Sequence, residues 1–158
     1  KDEFIKMLSW EQDLLRKQTD GITHAESLRQ PQPGGNCLNW VMGHLVVNLV
    51  DTLNILGVVA PPEMPDLSHY TIGSDPIRCD SPEVIPLQVL VDHYVRLTTL
   101  VLDRLNQMKD ADFDQEIDFW QGKSRRGYVA FFYYFHNTYH LGQLEQLRSL
   151  AGKTEKVI

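Results

Sequence analysis

Apolar residues recur at helical spacing in four segments of the chain. The segments run from about Asp2 to Asp20, from Asn36 to about Gly57, from Ser81 to about Lys109, and from about Arg125 to Ala151. Residues three and four positions apart share one face of a helix. The pattern therefore predicts four helices of roughly 18 to 29 residues, each with one apolar face for a common core.

Residues at the segment ends support these boundaries. Gly21 and Gly152 stand where the first and last helices should stop. The four residues from Thr23 to Glu26 have capping-box spacing and predict a short extra helical turn. Asn36 is the predicted N-cap of the second long helix. The run Ser81-Pro82-Glu83 predicts the start of the third, with a capping hydroxyl, a proline and an acid.

Three intervening segments predict loops: Gln30–Gly35, Val58–Asp80 and Ala111–Ser124. The second of these exceeds 20 residues and contains four prolines. A connection of that length can run the length of a helical bundle, so the helices it joins need not be antiparallel neighbours. The sequence thus predicts an all-α fold, a four-helix bundle with one long crossover, forming a single domain over residues 1–158.

The composition excludes several classes of function. The chain has 42% apolar and 23% charged residues and a net charge of −6, whereas a nucleic-acid surface needs clustered Lys and Arg. No apolar run reaches the roughly 18 residues of a membrane span, and no N-terminal segment resembles a signal peptide. Cys37 and Cys79 do not make a disulfide framework. We interpret them as small packing residues and expect a cytoplasmic protein.

His136 and His140 form the strongest chemical signal. They lie four residues apart on the last helix, so their imidazoles differ by only about 40° around its axis. On a helical wheel, the pair is surrounded by apolar positions: Val129, Phe132, Tyr133, Leu144, Leu147 and Leu150. Such a pair can hold zinc, nickel or iron, or it can be two core histidines satisfied by hydrogen bonds. Asn137 stands where a zinc-protease motif carries its glutamate base.

His44 is ambiguous on the wheel of the second helix. Its apolar stripe is Leu38, Met42, Leu45, Leu49, Leu53 and Leu56. His44 lies more than about 90° from the centre of that stripe, beside Asn48 and Asp51. The wheel favours a surface histidine, and His44 becomes a ligand only if this polar stripe faces the last helix across a cleft.

Two motifs resemble those of the DinB-like family. The first is Trp40-Val41-Met42-Gly43-His44-Leu45, and the second is His136-Asn137-Thr138-Tyr139-His140-Leu141-Gly142-Gln143. The resemblance extends over essentially the whole chain in helix order and loop lengths. It implies a bundle in up-down-down-up order, with a divalent metal held by His44, His136 and His140.

The resemblance also implies a class of activity. Related branches include thiol-dependent transferases and isomerases, which suggests a metal-dependent, thiol-dependent transferase or a hydrolase acting on a small molecule, with a low-molecular-weight thiol as the candidate co-substrate. Zinc or nickel is the expected ion, with iron and manganese as alternatives. Two other functions stay open: a non-catalytic module that binds metal or a small ligand in a stress response, and a purely structural interaction domain.

Further residues are weaker candidates. Gln143 lies close to His136 on the wheel and either orients a ligand or packs between helices. His93, at the edge of the third helix's apolar stripe, is either a boundary residue or a neighbour of the metal. His24 and His69 are expected to be exposed.

The aromatic run from Phe131 to Phe135 covers every side of its helix. Some of these rings must therefore point away from the core, which predicts a partner surface and a homodimer.

Overall fold

The structure, a computed structural model, describes residues 1–120 and 122–157 and is mostly helical. Its helices are α1 (Asp2–Thr19), α2 (His24–Ser27), α3 (Leu38–Ile55), α4 (Leu87–Gln107) and α5 (Arg126–Leu150). Two short strands, β1 (Glu116–Phe119) and β2 (Gly122–Arg125), form an antiparallel hairpin before α5. All four predicted long helices are present, with ends that differ by a few residues.

Helices α3 and α4 run in the same direction because a long crossover joins them. Near their first turns, Asn39 Nδ2 donates to the carbonyl of Ile85 over 2.9 Å. Near their last turns, Arg104 Nε donates to the carbonyl of Leu56 over 3.0 Å. The crossover, residues 56–86, returns the chain to the end of the molecule at which α3 begins.

Helix α5 is antiparallel to α3 and parallel to α1. At its first residue, Arg126 Nε donates to the carbonyl of Ile55 at the end of α3, over 2.9 Å. Farther along, the carbonyl of Leu141 accepts from Nε2 of Gln18, which lies in the last turn of α1, over 3.0 Å. Between these two ends, the middle of α3 meets the middle of α5, where Asn48 contacts Asn137.

The predicted apolar stripes form one continuous core. Every residue of the α3 stripe is buried, and so is the α4 stripe of Leu90, Tyr94, Leu97 and Val101. Each buried aliphatic side chain of this size contributes about 1.5–3 kcal/mol relative to an exposed one. Apolar packing therefore stabilises the fold, and the fold does not require a bound ion.

The predicted start of the third helix is wrong. Ser81-Pro82-Glu83 makes a turn, and α4 begins only at Leu87 after Pro86. A proline has no backbone N–H to donate and disfavours helical geometry in the residue before it, so a helix begun at Ser81 would break at Pro86. The N-terminus of α4 is capped instead by His24, whose Nδ1 accepts from the N–H of Leu87 over 3.2 Å.

Two other local predictions need correction. The N-cap of α3 is Cys37 instead of Asn36. The segment predicted as the loop Ala111–Ser124 contains the β1–β2 hairpin, in which Ile117 pairs with Ser124 and Phe119 with Gly122. Each strand has only four residues, too few for an alternating pattern to stand out. The predicted capping box at Thr23 is confirmed, because the side chains of Thr23 and Glu26 each accept from the other's backbone N–H.

Candidate metal centre

The structure brings His44 of α3 together with His136 and His140 of α5. The ring centroids are 4.8 Å apart between His44 and His140, 5.3 Å between His44 and His136, and 4.7 Å between His136 and His140. One nitrogen from each ring lies within 4.8 Å of the other two. Among the described residues, this is the group of metal-ligating side chains whose donor atoms converge in this way.

The crossover fixes the orientation of His44. The Nδ1–H of His44 donates to the carbonyl of Tyr70 over 2.8 Å, which leaves the lone pair of His44 on Nε2. The ring of Trp40 stacks on the imidazole at 4.9 Å and 14°, and Trp40 Nε1 donates to Ser74 Oγ over 3.0 Å. Two residues of the crossover thus hold His44: Tyr70 directly and Ser74 through Trp40.

Gly43 explains how the crossover comes so close to α3. A Cβ atom at this position would lie 1.9 Å from Cδ1 of Tyr70. The Tyr70 ring is fully buried, and its hydroxyl donates to Asn39 Oδ1 and accepts from the N–H of Ile85. Tyr70 was not among the residues predicted from the sequence. It acts on His44 through its backbone carbonyl, so no side-chain pattern in the sequence could have marked it.

His140 is oriented by a neighbour on its own helix. Its Nδ1–H donates to Gln143 Oε1 over 2.7 Å, which leaves the lone pair of His140 on Nε2. That Nε2 lies 2.8 Å from Nε2 of His136, so the proton between them belongs to His136. Gln143 therefore contacts the predicted ligand His140, a role that the helical wheel did not distinguish from helix packing.

Burial keeps all three imidazoles neutral near pH 7. It lowers the pKa of His44, and it lowers that of His136, to which the repulsion from a protonated His44 ring adds. Burial also lowers the pKa of His140 to about 4, against the opposing effect of the hydrogen bond that His140 donates to Gln143 and with the help of the other two rings. Neutral imidazoles are the form that binds metal ions.

The donor set fits a divalent transition metal. Imidazole nitrogens around a tetrahedral ion with bonds of about 2.0–2.1 Å lie about 3.4 Å apart. The three nitrogens of the cluster are already close enough to reach this spacing by small side-chain rotations. Hydrogen bonds to the remote nitrogens of two rings are the usual supports of metal-binding histidines.

A cleft of about 470 Å³ opens beside the cluster, and all three histidines line it. Its other walls include the amides Asn36, Gln143 and Gln146 and the apolar side chains Val41, Ile72 and Leu147. Ligand sites in proteins commonly have volumes of about 300–1,000 Å³. A small molecule in this cleft would therefore touch the histidines.

One prediction from the helical wheels is wrong and another is wrong in part. The wheel favoured an exposed His44, yet its side chain is only 4% exposed, because α3 packs against α4, α5 and the crossover at once. The wheel also placed His136 and His140 in the middle of an apolar stripe. That holds for His140, which is buried, but not for His136, which is only half-buried at the edge of the stripe, and Leu150 is exposed.

The remaining histidines lie away from the cluster. His93 does not line the cleft; it is half-buried on α4. His69 is exposed as expected, whereas His24 is half-buried by its contacts with α4 and Asp80.

Asn48 and Asp51 extend a polar strip between α3 and α5, beyond the cluster. Asn48 Nδ2 donates to Asn137 Oδ1 over 3.2 Å, and both residues are buried. The hydroxyl of Tyr133 donates to Asp51 over 3.3 Å. The strip confirms that the polar face of α3 turns toward the last helix.

Two smaller predictions have mixed outcomes. Cys37 is buried as a packing residue should be, but Cys79 is exposed, and both are free thiols.

The aromatic run was predicted to have some rings that point away from the core. Phe131 and Phe135 are indeed 59% and 63% exposed, while Tyr133 is buried. The homodimer inferred from these rings stays a prediction.

The fold and the cluster define a mostly helical protein with a three-histidine site. The model of the DinB superfamily matches residues 7–144, and the chain belongs to that superfamily. It is similar to a conserved protein from Enterococcus faecalis of known crystal structure, with 20% identity over 95% of each chain and a TM-score of 0.72. At this identity the likeness shows the fold alone. A comparison with curated protein sequences gave no significant match.

Within the described part of the chain, no helix is both long and apolar enough to cross a lipid bilayer.

Proposed function

We propose that the protein binds one divalent transition metal through His44, His136 and His140 and uses it to activate a small molecule. The observation that carries the proposal is the convergence of three neutral imidazoles from two helices beside an open cleft. Three protein ligands with a remaining free position are typical of catalytic metal sites. Zinc and nickel are the ions we expect, and iron and manganese are alternatives, because imidazole binds all four.

The architecture we propose is the up-down-down-up four-helix bundle. The helix directions described above support it: α3 and α4 run together, and α5 runs with α1. In such a bundle the parallel pair α3 and α4 requires the long crossover. That crossover supplies the carbonyl of Tyr70 that holds His44.

The chemistry we propose is transfer to or from a small molecule, with a thiol as a candidate co-substrate, or hydrolysis. A divalent ion with a free position lowers the pKa of a bound thiol or water, which provides a nucleophile at neutral pH. The chain's own contribution is to hold the donors and the reactants. Tyr70 and Gln143 fix two imidazole rings, and the cleft gives the substrate a place beside them.

Metal content of the His140→Ala variant tests the site. We expect the wild-type protein, purified and then equilibrated with zinc or nickel, to hold one ion per chain, and the variant to lose it. Helicity measured by circular dichroism should stay near that of the wild type, because the core is apolar. The matched control is His69→Ala, since His69 is exposed and outside the cluster. Full metal occupancy in His140→Ala, or none in the wild type, would contradict the proposal.

A second measurement separates an enzyme from a binding module. An enzyme needs an exchangeable position on the ion, and a storage or sensing module does not. Water-proton relaxation of the manganese-loaded protein reports that position directly. Fast-exchanging bound water together with turnover in a panel of thiols and electrophiles supports catalysis, whereas a closed coordination sphere favours the module.

A further inference from the structure

The walls of the cleft beside the histidine cluster carry no formal charge. Among the described residues that line it, the polar side chains other than the histidines are the amides of Asn36, Gln143 and Gln146, and the rest are apolar residues and glycines. No Asp, Glu, Lys or Arg from the described part of the chain takes part in the lining. A charged group on a ligand would therefore find no counter-ion on the cleft walls.

Two basic side chains, one in the last turn of α5 and one just beyond it, are engaged elsewhere. Arg148 is buried against α1, where its guanidinium donates to the carbonyls of Gln18 and Asp20. Lys153 pairs with Glu26 at 3.6 Å. These two cations are therefore not available to pair with an anion bound in the cleft. The net charge of −6 also disfavours the approach of anions at long range.

We propose that the cleft takes a small molecule that has a single anionic donor atom for the metal and an otherwise uncharged body. This inference rests on the proposed function. It names the ligand class: an amphiphilic molecule with amide or hydroxyl groups beside its metal-binding atom. A molecule with an additional carboxylate or phosphate is disfavoured.

The physical basis is the cost of removing a charge from water without a partner. An unpaired carboxylate loses hydration that amide groups only partly replace, whereas a hydroxyl or amide can be satisfied by amides. Gln143 illustrates the available contacts. Its Oε1 already accepts from His140, so its amide NH₂ group is the part that remains to donate to a ligand. Val41, Ile72 and Leu147 add apolar contact area.

Two matched thiols test the inference. N-acetylcysteine amide and N-acetylcysteine share a skeleton and differ in one neutral or charged group. Each is titrated into cobalt-loaded protein, and binding is followed by the thiolate-to-cobalt charge-transfer absorption. We expect the amide to bind at least about tenfold more tightly than the acid.

Variants at Gln146 separate the cleft from the intrinsic acidity of the thiols. Gln146 lines the cleft and is exposed on α5. Gln146→Lys places a cation on the wall and should narrow the preference for the amide by about threefold or more, by tightening the acid. Gln146→Leu removes the amide without adding charge and should leave the acid bound weakly. Any difference in thiol pKa is the same for all three proteins.

The outcomes separate the two proposals. Cobalt content is measured before any thiol is added, and a protein that holds no cobalt overturns the proposed function and the inference with it. A cobalt-loaded protein that binds the acid as tightly as the amide, or binds neither, overturns the inference alone. A preference that Gln146→Lys leaves unchanged also overturns it, because the charge of the walls would then not decide selectivity.

Discussion

Gly43 should be required for the position of His44, and Gly43→Ala is the substitution that tests this. The added methyl group would lie 1.9 Å from Cδ1, 2.3 Å from Cγ and 2.5 Å from Cε1 of Tyr70. Carbon atoms in contact are about 3.5–4.0 Å apart, so the ring would have to move by about 1.5 Å or more. The helix backbone at Gly43 cannot yield as easily, because α3 packs on three sides.

The displacement breaks a well-satisfied network. The hydroxyl of Tyr70 donates to Asn39 over 3.0 Å and accepts from the N–H of Ile85 over 2.8 Å, in a fully buried environment. Losing these two hydrogen bonds and overpacking the site should together lower the free energy of unfolding by about 2–4 kcal/mol. Since the carbonyl of Tyr70 also orients His44, metal affinity should fall by about 10–100-fold.

The assays are urea denaturation followed by circular dichroism, and competition for zinc with a chromophoric chelator. Gly142→Ala is the matched control, because Gly142 also lies in a helix and a Cβ there would meet nothing within 4 Å. It should raise stability by about 0.5–1 kcal/mol, as alanine favours a helix over glycine, and leave zinc affinity unchanged.

Tyr70→Phe separates stability from metal binding. It keeps the backbone carbonyl but removes the hydroxyl, so it should lower stability by about 1–3 kcal/mol with zinc affinity close to that of the wild type. Wild-type zinc affinity in a folded Gly43→Ala protein would refute the reasoning. The orientation of His44 would then not depend on the position of Tyr70.

Two further predictions concern Gln143 and Glu11. Gln143→Leu removes the acceptor for His140 Nδ1–H and should weaken zinc binding by about tenfold; an affinity equal to that of Gln146→Leu would show that the contact is dispensable. Burial raises the pKa of Glu11 from 4.5 to about 7 against the opposing hydrogen bond from Thr138, and its Oε2 is buried without a partner. Between pH 4.5 and 7 the folded protein therefore keeps a proton that the unfolded chain has already lost, so the contribution of Glu11 to stability should fall by about 3 kcal/mol as pH rises through that window. The lowered pKa values of His44, His136 and His140 act in the opposite direction in both proteins, so the effect of Glu11 is the difference between the wild type and Glu11→Gln. Urea denaturation at pH 5 and pH 8 that shows the same pH dependence in both proteins would contradict the assignment.

The helices were predictable because their signals are local. Apolar spacing, the glycines at Gly21 and Gly152 and the capping box at Thr23 each involve residues within a few positions of one another. The start of α4 was missed by six residues for the same reason. The signal at Ser81 is real as a turn, but Pro86 forbids a helix across it, and only the contact with the distant His24 shows where the helix begins.

The ligands of the metal centre were likewise predictable only where the signal is local. The sequence alone determined that His136 and His140 project side by side, since four residues make about one helical turn. His44 could not be placed by its own helix, because burial on α3 depends on which three elements pack around it. Only the resemblance to a family pointed to it before the structure did.

What the tertiary structure alone decided is how the site is held. The carbonyl that orients His44 comes from Tyr70, 26 residues away along the chain in the crossover, and reaches it only because Gly43 has no side chain. The amino-acid sequence determines the helices and one pair of ligands, since those follow from spacing within a single helix. The third ligand, its support and the uncharged cleft arise where separate segments meet, and the packing of those segments is set by the whole core.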